Sequence, residues 1–463
     1  MSIANIIHCF PLLAFALFFG SGCVGLPDVT QQIGKTTAAQ QQRQIGSSKG
    51  LLSSEQSRQI MERLRQSVDP TDILSRHSIV VESVTESPLT KGNKVILLAD
   101  GEATYAAMFN ALEQAQDHIN LESYIIEDDE IGRKFADLLL RKQAAGVQVN
   151  LSYDSVGSMD TPAAFFQRLR DGGIRVVEFN PINPMKSHGE WRLFHRNHRK
   201  MLLADGKVAI LGGINISKVY SSSPFKRRKN ESLPIHWRDT DVQIEGPAVT
   251  ELQKLFLDTW QQQQGPALPT RNYFPDVEER GDALVRILSS TPGESNRIPF
   301  IMYVSAIVFA ERSIYLTSSY FIPDGQLLKA LSDAAARGVD VKIILPGTSD
   351  SRWPLYAQRH HYAGLLQAGV HIYEHETSLL HAKTAVIDQV WSTVGSTNLD
   401  YLSLLHNDEV NAVILNREFA AEMEAMFAGD LADSRQIQRD EWDNRPRLPR
   451  IRDWFVNLFI RWL

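Results

Sequence analysis

One spaced pattern occurs twice in this chain, and nothing else in the sequence constrains the fold as much. The copies are His198-x-Lys200-x4-Asp205-x6-Gly212-Gly213-x-Asn215 and His381-x-Lys383-x4-Asp388-x6-Gly395-Ser396-x-Asn398. A pattern of this length does not recur by accident, so the chain reads as a duplication. What precedes each copy repeats as well. The first half offers a strand at 118–124, a helical stretch with Phe135, Leu138, Leu139 and Leu140, a strand at 146–151, then a helix and a strand at 174–179. The second half offers a strand at 314–320, a helical stretch with Leu327, Leu328 and Leu331, a strand at 338–344, then a helix and a strand at 370–373. Strands alternating with helices at this spacing predict an α/β fold. For 463 residues the expectation is two similar domains, 71–275 and 276–440.

The interval from His to Asn predicts a hairpin. Take Lys200–Ala204 as one strand, Asp205-Gly206 as a two-residue turn, and Lys207–Leu211 as the return. His198 then falls opposite Gly213, and Asn215 lies just past the open end. The second copy closes the same way around Asp388-Gln389, with His381 opposite Ser396. His and Lys, two residues apart, point to one face. The small residues opposite each histidine, in Gly212-Gly213 and Gly395-Ser396, are expected to leave room for a ligand oxygen. Asp205 and Asp388 lie at the far end and are expected to hold the turns.

Two histidines, two lysines and two asparagines suit phosphodiester chemistry. An imidazole with an ordinary pKa of about 6.5 can attack phosphorus, and a second can donate and later take up a proton. Lys200, Lys383, Asn215 and Asn398 would bind the non-bridging oxygens. This chemistry requires no metal, and no metal ligand set is evident; no cofactor is expected. The only cysteines are Cys9 and Cys23, so the body of the chain has neither disulfide nor thiolate zinc site.

The paired motifs resemble those of the phospholipase D superfamily. Ser319-Tyr320-Phe321-Ile322-Pro323, Ala336–Val341, Leu380-His381-Ala382-Lys383, Gly395–Asp400 and Ser403–Glu409 narrow the resemblance to bacterial cardiolipin synthases. The resemblance implies two similar α/β domains related by a pseudo-twofold axis, with one active site at their interface. It implies a phosphatidyltransferase that makes cardiolipin from phosphatidylglycerol through a phosphohistidine. The alternative is a hydrolytic phospholipase D releasing phosphatidic acid; a nucleic-acid phosphodiesterase is more distant. It also implies an orienting carboxylate for each imidazole. Glu409 fits that position in the second half, Asp239 aligns with it in the first, and Asp241 is a close rival.

The termini bear on location. Ile6–Phe19 is an apolar run, interrupted by His8 and Pro11, that fits a signal-peptide core better than a membrane span. Gly20-Ser21-Gly22 before Cys23 resembles a lipobox, with Cys23 lipidated, so 1–23 reads as a signal segment. Residues 24–50, rich in Gln, Ser, Thr and Gly, read as a tether, and the helix-forming stretch Ser54–Ser67 is expected to begin the ordered chain, so 24–70 holds the tether and the start of the ordered chain. At 441–463, Ile451, Trp454, Phe455, Leu458, Phe459 and Trp462 make one apolar helix face flanked by Arg450, Arg452 and Arg461. That segment suits an anionic membrane surface or packs on its own domain. The run Lys226–Lys229 reads as a solvated loop. A net charge of −6 argues against a nucleic-acid partner. The partners expected are a phospholipid substrate, phosphatidylglycerol and possibly a second phospholipid donor, and the membrane surface. The protein is expected to be exported and membrane-associated, on the periplasmic side of a bacterial envelope.

Overall fold

The computed structural model describes residues 25–36, 44–69, 71–186, 194–221, 236–292, 297–349 and 352–460. The 1–23 segment with Cys9 and Cys23, the Lys226–Lys229 run, and Arg461 and Trp462 lie outside the described residues.

Both halves use one set of strands in one order. The first half contains β1 (Thr90–Leu98), β2 (His118–Ser123), β3 (Gln148–Asp154), β4 (Arg175–Phe179), β5 (Met201–Ala204), β6 (Val208–Gly212) and β7 (Asp241–Glu245). They lie side by side as β4-β3-β2-β5-β6-β7-β1. The second half contains β8 (Ala283–Ser290), β9 (Ser313–Ser318), β10 (Asp340–Pro346), β11 (His371–His375), β12 (Lys383–Ile387), β13 (Trp391–Gly395) and β14 (Asn407–Leu415). Their order is β11-β10-β9-β12-β13-β14-β8. In each half three strands run parallel, joined by helices, and the others are antiparallel. The edge strands β1 and β8 pair antiparallel through a bulge, so the two sheets continue into one. Equivalent edges meeting antiparallel are what a twofold relation produces. The duplicated α/β architecture is the one the sequence implied.

Local chemistry explains the crossovers. The helix Glu130–Ala144 starts where the Asp129 side chain accepts the Gly132 N–H, and Gly325–Ala336 where Asp324 accepts that of Leu327. Their apolar residues Phe135, Leu138 and Leu139, and Leu327 and Leu331, are buried on the sheets. One apolar cluster fills each half and a third spans both. β5 feeds two of them by simple alternation: Leu202 faces the first-half cluster, whereas Met201 and Leu203 join Val386, Val394 and Ala412 of the second half.

One terminal expectation changes, and at the C-terminus packing on the chain's own domain, one of the two alternatives, is observed. The described part of 24–50 is docked rather than a free tether. Val29–Thr36 is helical, the Val29 N–H donates to Gln326 Oε1 at 2.9 Å, and Val29 and Ile45 are buried in the second-half core. The C-terminal segment forms a helix, Arg447–Ile460, that packs against the helix Arg352–His360. Among the described residues no helix is long and apolar enough to cross a membrane.

Candidate active site

Each motif folds as a hairpin, with a register one residue off the count. Asp205 and Gly206 take positive φ (54° and 63°), and Lys207 N–H donates to Ala204 O at 3.0 Å, as the Asp-Gly turn requires. Lys207 is then left over: the ladder pairs Ala204 with Val208 and Met201 with Leu211. The second hairpin repeats this, with Asp388 and Gln389 at φ 51° and 59° and Ile387 paired with Trp391. The extra residue moves each histidine off Gly213 and Ser396. Both motif aspartates look away from the histidines. Asp205 accepts the backbone N–H groups of Gln116, Asp117 and His118 at 2.8–3.0 Å. Asp388 accepts those of Glu311, Arg312 and Ser313 at 3.0, 2.8 and 3.1 Å, and the Thr71 hydroxyl at 2.5 Å. Each pins its hairpin tip to the start of the neighbouring parallel strand.

The residues leading into each motif cross to the other half. Arg196–Asn197 pairs parallel with Asn407–Asp408, and Leu379–Leu380 pairs parallel with Trp237–Arg238. His198 N–H therefore donates to Asp408 O at 3.0 Å, and His381 N–H to Arg238 O at 2.7 Å. In each case the next residue is a carboxylate. Glu409 Oε2 lies 3.1 Å from His198 Nδ1, and Asp239 Oδ2 lies 2.5 Å from His381 Nδ1. Both carboxylates thus serve the histidine of the opposite half.

Asp241, the rival candidate, is elsewhere. It sits opposite Gly212 in the ladder, its Oδ1 accepts the Ile214 N–H, and burial, with Asp239 nearby, pushes its carboxyl well above the usual range. Asp241 occupies the place that Asn411 takes opposite Gly395 in the second half. The small residues also have a different use from the one expected. A Cβ on Gly213 would meet Asp239 Oδ1 at 2.2 Å, and one on Gly212 would meet Asp241 Oδ1 at 2.2 Å. The space they leave holds the carboxyls. At the Gly213-equivalent position Ser396 donates to Glu409 at 2.5 Å.

Lys200 Nζ donates to the His198 carbonyl at 2.5 Å and lies 5.1 Å over the Tyr124 ring. Lys383 Nζ donates to the His381 carbonyl and lies 2.9 Å from His381 Nδ1. Asn215 Oδ1 accepts the Ile125 N–H at 3.0 Å and Asn398 Oδ1 accepts the Ser319 hydroxyl at 2.6 Å. The structure thus also uses both asparagines to tie the hairpin mouths to the ends of β2 and β9.

Sequence reading missed Tyr220, and it took Ser403 only as the start of a resembling stretch without giving it a role. Each lies five residues past its motif asparagine, so extending the alignment of the two copies would have found them. Tyr220 OH accepts from Asn215 Nδ2 at 3.0 Å and lies 3.5 Å from His381 Nδ1; the Ser403 hydroxyl donates to Glu409.

All six ionisable groups are buried. Burial takes Lys200 down to about 7 and Lys383 to about 8. Burial and the adjacent Lys383 take His381 to about 4; burial and Lys200 lower His198. Burial alone would raise Asp239 and Glu409, but Lys383 and His381 outweigh it at the first, and His198 and Lys200 at the second, so both stay ionised. Lys383 also depresses His198, and Lys200 depresses His381, so the two motifs share one electrostatic environment. The result is a pair of buried imidazoles, each held by a carboxylate at Nδ1, with a buried lysine beside each.

A family model described as "Cardiolipin synthase, PLD-like domain" matches residues 108–260 and 303–431. The chain belongs to this phospholipase D-like cardiolipin synthase family. The first match contains His198 through Asn215 and Asp239; the second contains His381 through Asn398 and Glu409. The chain is 34% identical over 369 residues to the cardiolipin synthase of Alkalihalophilus pseudofirmus, covering 79% of this chain and 71% of that protein. It is 36% identical over 371 residues to that of Geobacillus thermodenitrificans, covering 80% and 72%. The fold is similar to phosphatidylserine synthase of Haemophilus influenzae, with a TM-score of 0.57, 13% identity, and coverage of 79% of this chain and 93% of that one.

Proposed function

We propose that the protein is a phosphatidyltransferase that makes cardiolipin from phosphatidylglycerol. The observation that carries the chemistry is the crossed pairing: each Nδ1 is held by a carboxylate of the other half, which keeps Nε2 for the substrate. Membership of the cardiolipin synthase family supports the substrate.

In the first step the Nε2 lone pair of one histidine forms a bond to phosphorus as the P–O bond to the headgroup glycerol breaks. The second histidine, protonated, gives its proton to the departing oxygen. In the second step the terminal hydroxyl of another phosphatidylglycerol yields its proton to that same histidine and attacks phosphorus, and the N–P bond breaks. Two phosphatidylglycerols thus become one cardiolipin and one glycerol. Lys200, Lys383, Asn215 and Asn398 hold the non-bridging oxygens, and Asp239 and Glu409 stabilise each imidazolium as it forms. The same reading makes the protein membrane-associated and exported, with Cys23 the site of lipid attachment; the sequence before residue 24 supports it.

The test is to incubate purified protein with phosphatidylglycerol vesicles and resolve products by mass. Cardiolipin with equimolar glycerol is expected, and His198→Asn or His381→Asn should each abolish it. Phosphatidic acid as the main product would make the protein a hydrolase. DNA cleavage without lipid turnover would overturn both.

A further inference from the structure

The helix Arg447–Ile460 docks with the face a soluble helix normally shows to water. Its buried residues are Asp453 and Val456. Asp453 is held by Arg445 at 3.0 Å and Arg452 at 2.9 Å, and the Arg452 guanidinium lies 3.6 Å over the Tyr356 ring. Val456 packs with Ala357 and Ile322. The opposite face carries Ile451, Trp454, Phe455, Leu458 and Phe459, all between 45 and 60% exposed. Trp353, on the helix Arg352–His360, is exposed too. An amphipathic helix ordinarily buries its apolar stripe against the core. Here a charged anchor fixes the helix and turns the stripe outward, which makes a contiguous apolar patch of the kind that marks an interaction surface.

Charge and position identify the occupant. Arg447 and Arg450 flank the stripe and are exposed, so the face combines aromatic rings with guanidinium groups, the pairing that suits an anionic lipid interface. Through its docked face the helix also lies beside the site. Val456 rests on Ile322, whose N–H donates to Leu399 O at 2.9 Å, and Leu399 follows Asn398. We propose that this outward stripe is a docking platform for an anionic phospholipid bilayer, on a helix that packs beside the Asn398 end of the site. The proposal rests on the lipid-transferase reading for its purpose, but not for its geometry.

The test uses the full chain with Cys9 and Cys23 replaced by Ser and an environment-sensitive fluorophore on Leu458→Cys. Vesicles of phosphatidylcholine are compared with vesicles that also contain phosphatidylglycerol. A blue shift that needs phosphatidylglycerol is expected. In parallel, Trp454→Ser, Phe455→Ser and Phe459→Ser are combined in the otherwise native chain. Turnover of vesicle phosphatidylglycerol should fall at least about tenfold, and turnover of monomeric short-chain phosphatidylglycerol should stay within about twofold. A silent reporter, or wild-type turnover on vesicles, overturns the platform. So does equal loss on the short-chain substrate, which would mean the stripe serves the fold. A reporter shift that tracks protein concentration without lipid would assign the face to a second copy of the chain and overturn the proposal. A lipid-dependent shift in a protein that turns over no lipid would uphold the platform and sink the transferase instead.

Discussion

Lys200, Lys383, His198 and His381 are packed where water cannot screen them; burial lowers the proton affinity of all four, and both lysines lower that of each histidine further. A phosphodiester anion entering among them supplies the missing negative charge and raises those affinities again. The sign follows directly. In the free protein the protonated lysines are lost as pH rises through about 7 and about 8; in the complex they persist to higher pH. The alkaline limb of kcat/KM, which reports the free protein, should therefore lie at least about one unit below that of kcat. Profiles measured with short-chain phosphatidylglycerol check this, and coincident limbs would exclude it. Gly213 supports a second residue-scale prediction. A methyl group there needs the space that the Asp239 carboxylate fills, and that carboxylate is fixed by Thr240 N–H and His381. Gly213→Ala should lower turnover by about 10²-fold or more through His381. Ser396→Ala, which removes a hydroxyl donor to Glu409 and the acceptor of the Val410 N–H, should lose about tenfold. Turnover measured on variants with native circular dichroism decides it; an unaffected Gly213→Ala protein would contradict the crossed carboxylate arrangement.

The hairpins show what local sequence can specify and what it cannot. Their existence, the shared face of His and Lys, and the turn positions of Asp205 and Asp388 all follow from a period of two and an Asp-Gly signal. The left-over Lys207 and Val390 do not, because what stabilises the longer loop is distant: three N–H groups on another strand's approach, gathered by one carboxylate. The partner of each histidine was equally out of reach. Asp239 and Glu409 could be aligned as equivalents, but their crossing depends on Trp237–Arg238 and Asn407–Asp408 pairing with the opposite half, and no spacing within one half encodes that. The anchoring role carries its own prediction. Asp388 is fully buried and accepts three backbone donors and a hydroxyl, whereas Asp205 is partly exposed and accepts three. Asp388→Ala should destabilise by about 3 kcal/mol or more and Asp205→Ala by about 2 kcal/mol, in urea unfolding. Turnover per folded molecule should change little in both. Lost turnover at unchanged stability would place these aspartates in the chemistry instead of the frame.

At the scale of the molecule, the duplication is less modular than the sequence suggests. β1 and β8 close each other's open edge, so either half alone would present an unpaired strand. Leu203 and Leu211 of the first half share an apolar cluster with Val386, Val394 and Ala412 of the second. Two parallel crossings stitch the same boundary at the site, and each histidine depends on a carboxylate from beyond it. Local opening of one half would therefore expose apolar surface, free a sheet edge and strand a buried carboxylate in the other, and these losses fall together. The halves should unfold as one unit: calorimetry on the full chain should give a single transition whose calorimetric and van't Hoff enthalpies agree. Two resolved transitions would mean that the boundary contacts are weaker than either core. In that case the crossed pairs would form only after each half had folded, and an isolated half would keep its secondary structure while remaining inactive until its partner was added. The enthalpy ratio separates these cases because only an obligate joint core ties the melting of β2 and β9 to the same temperature.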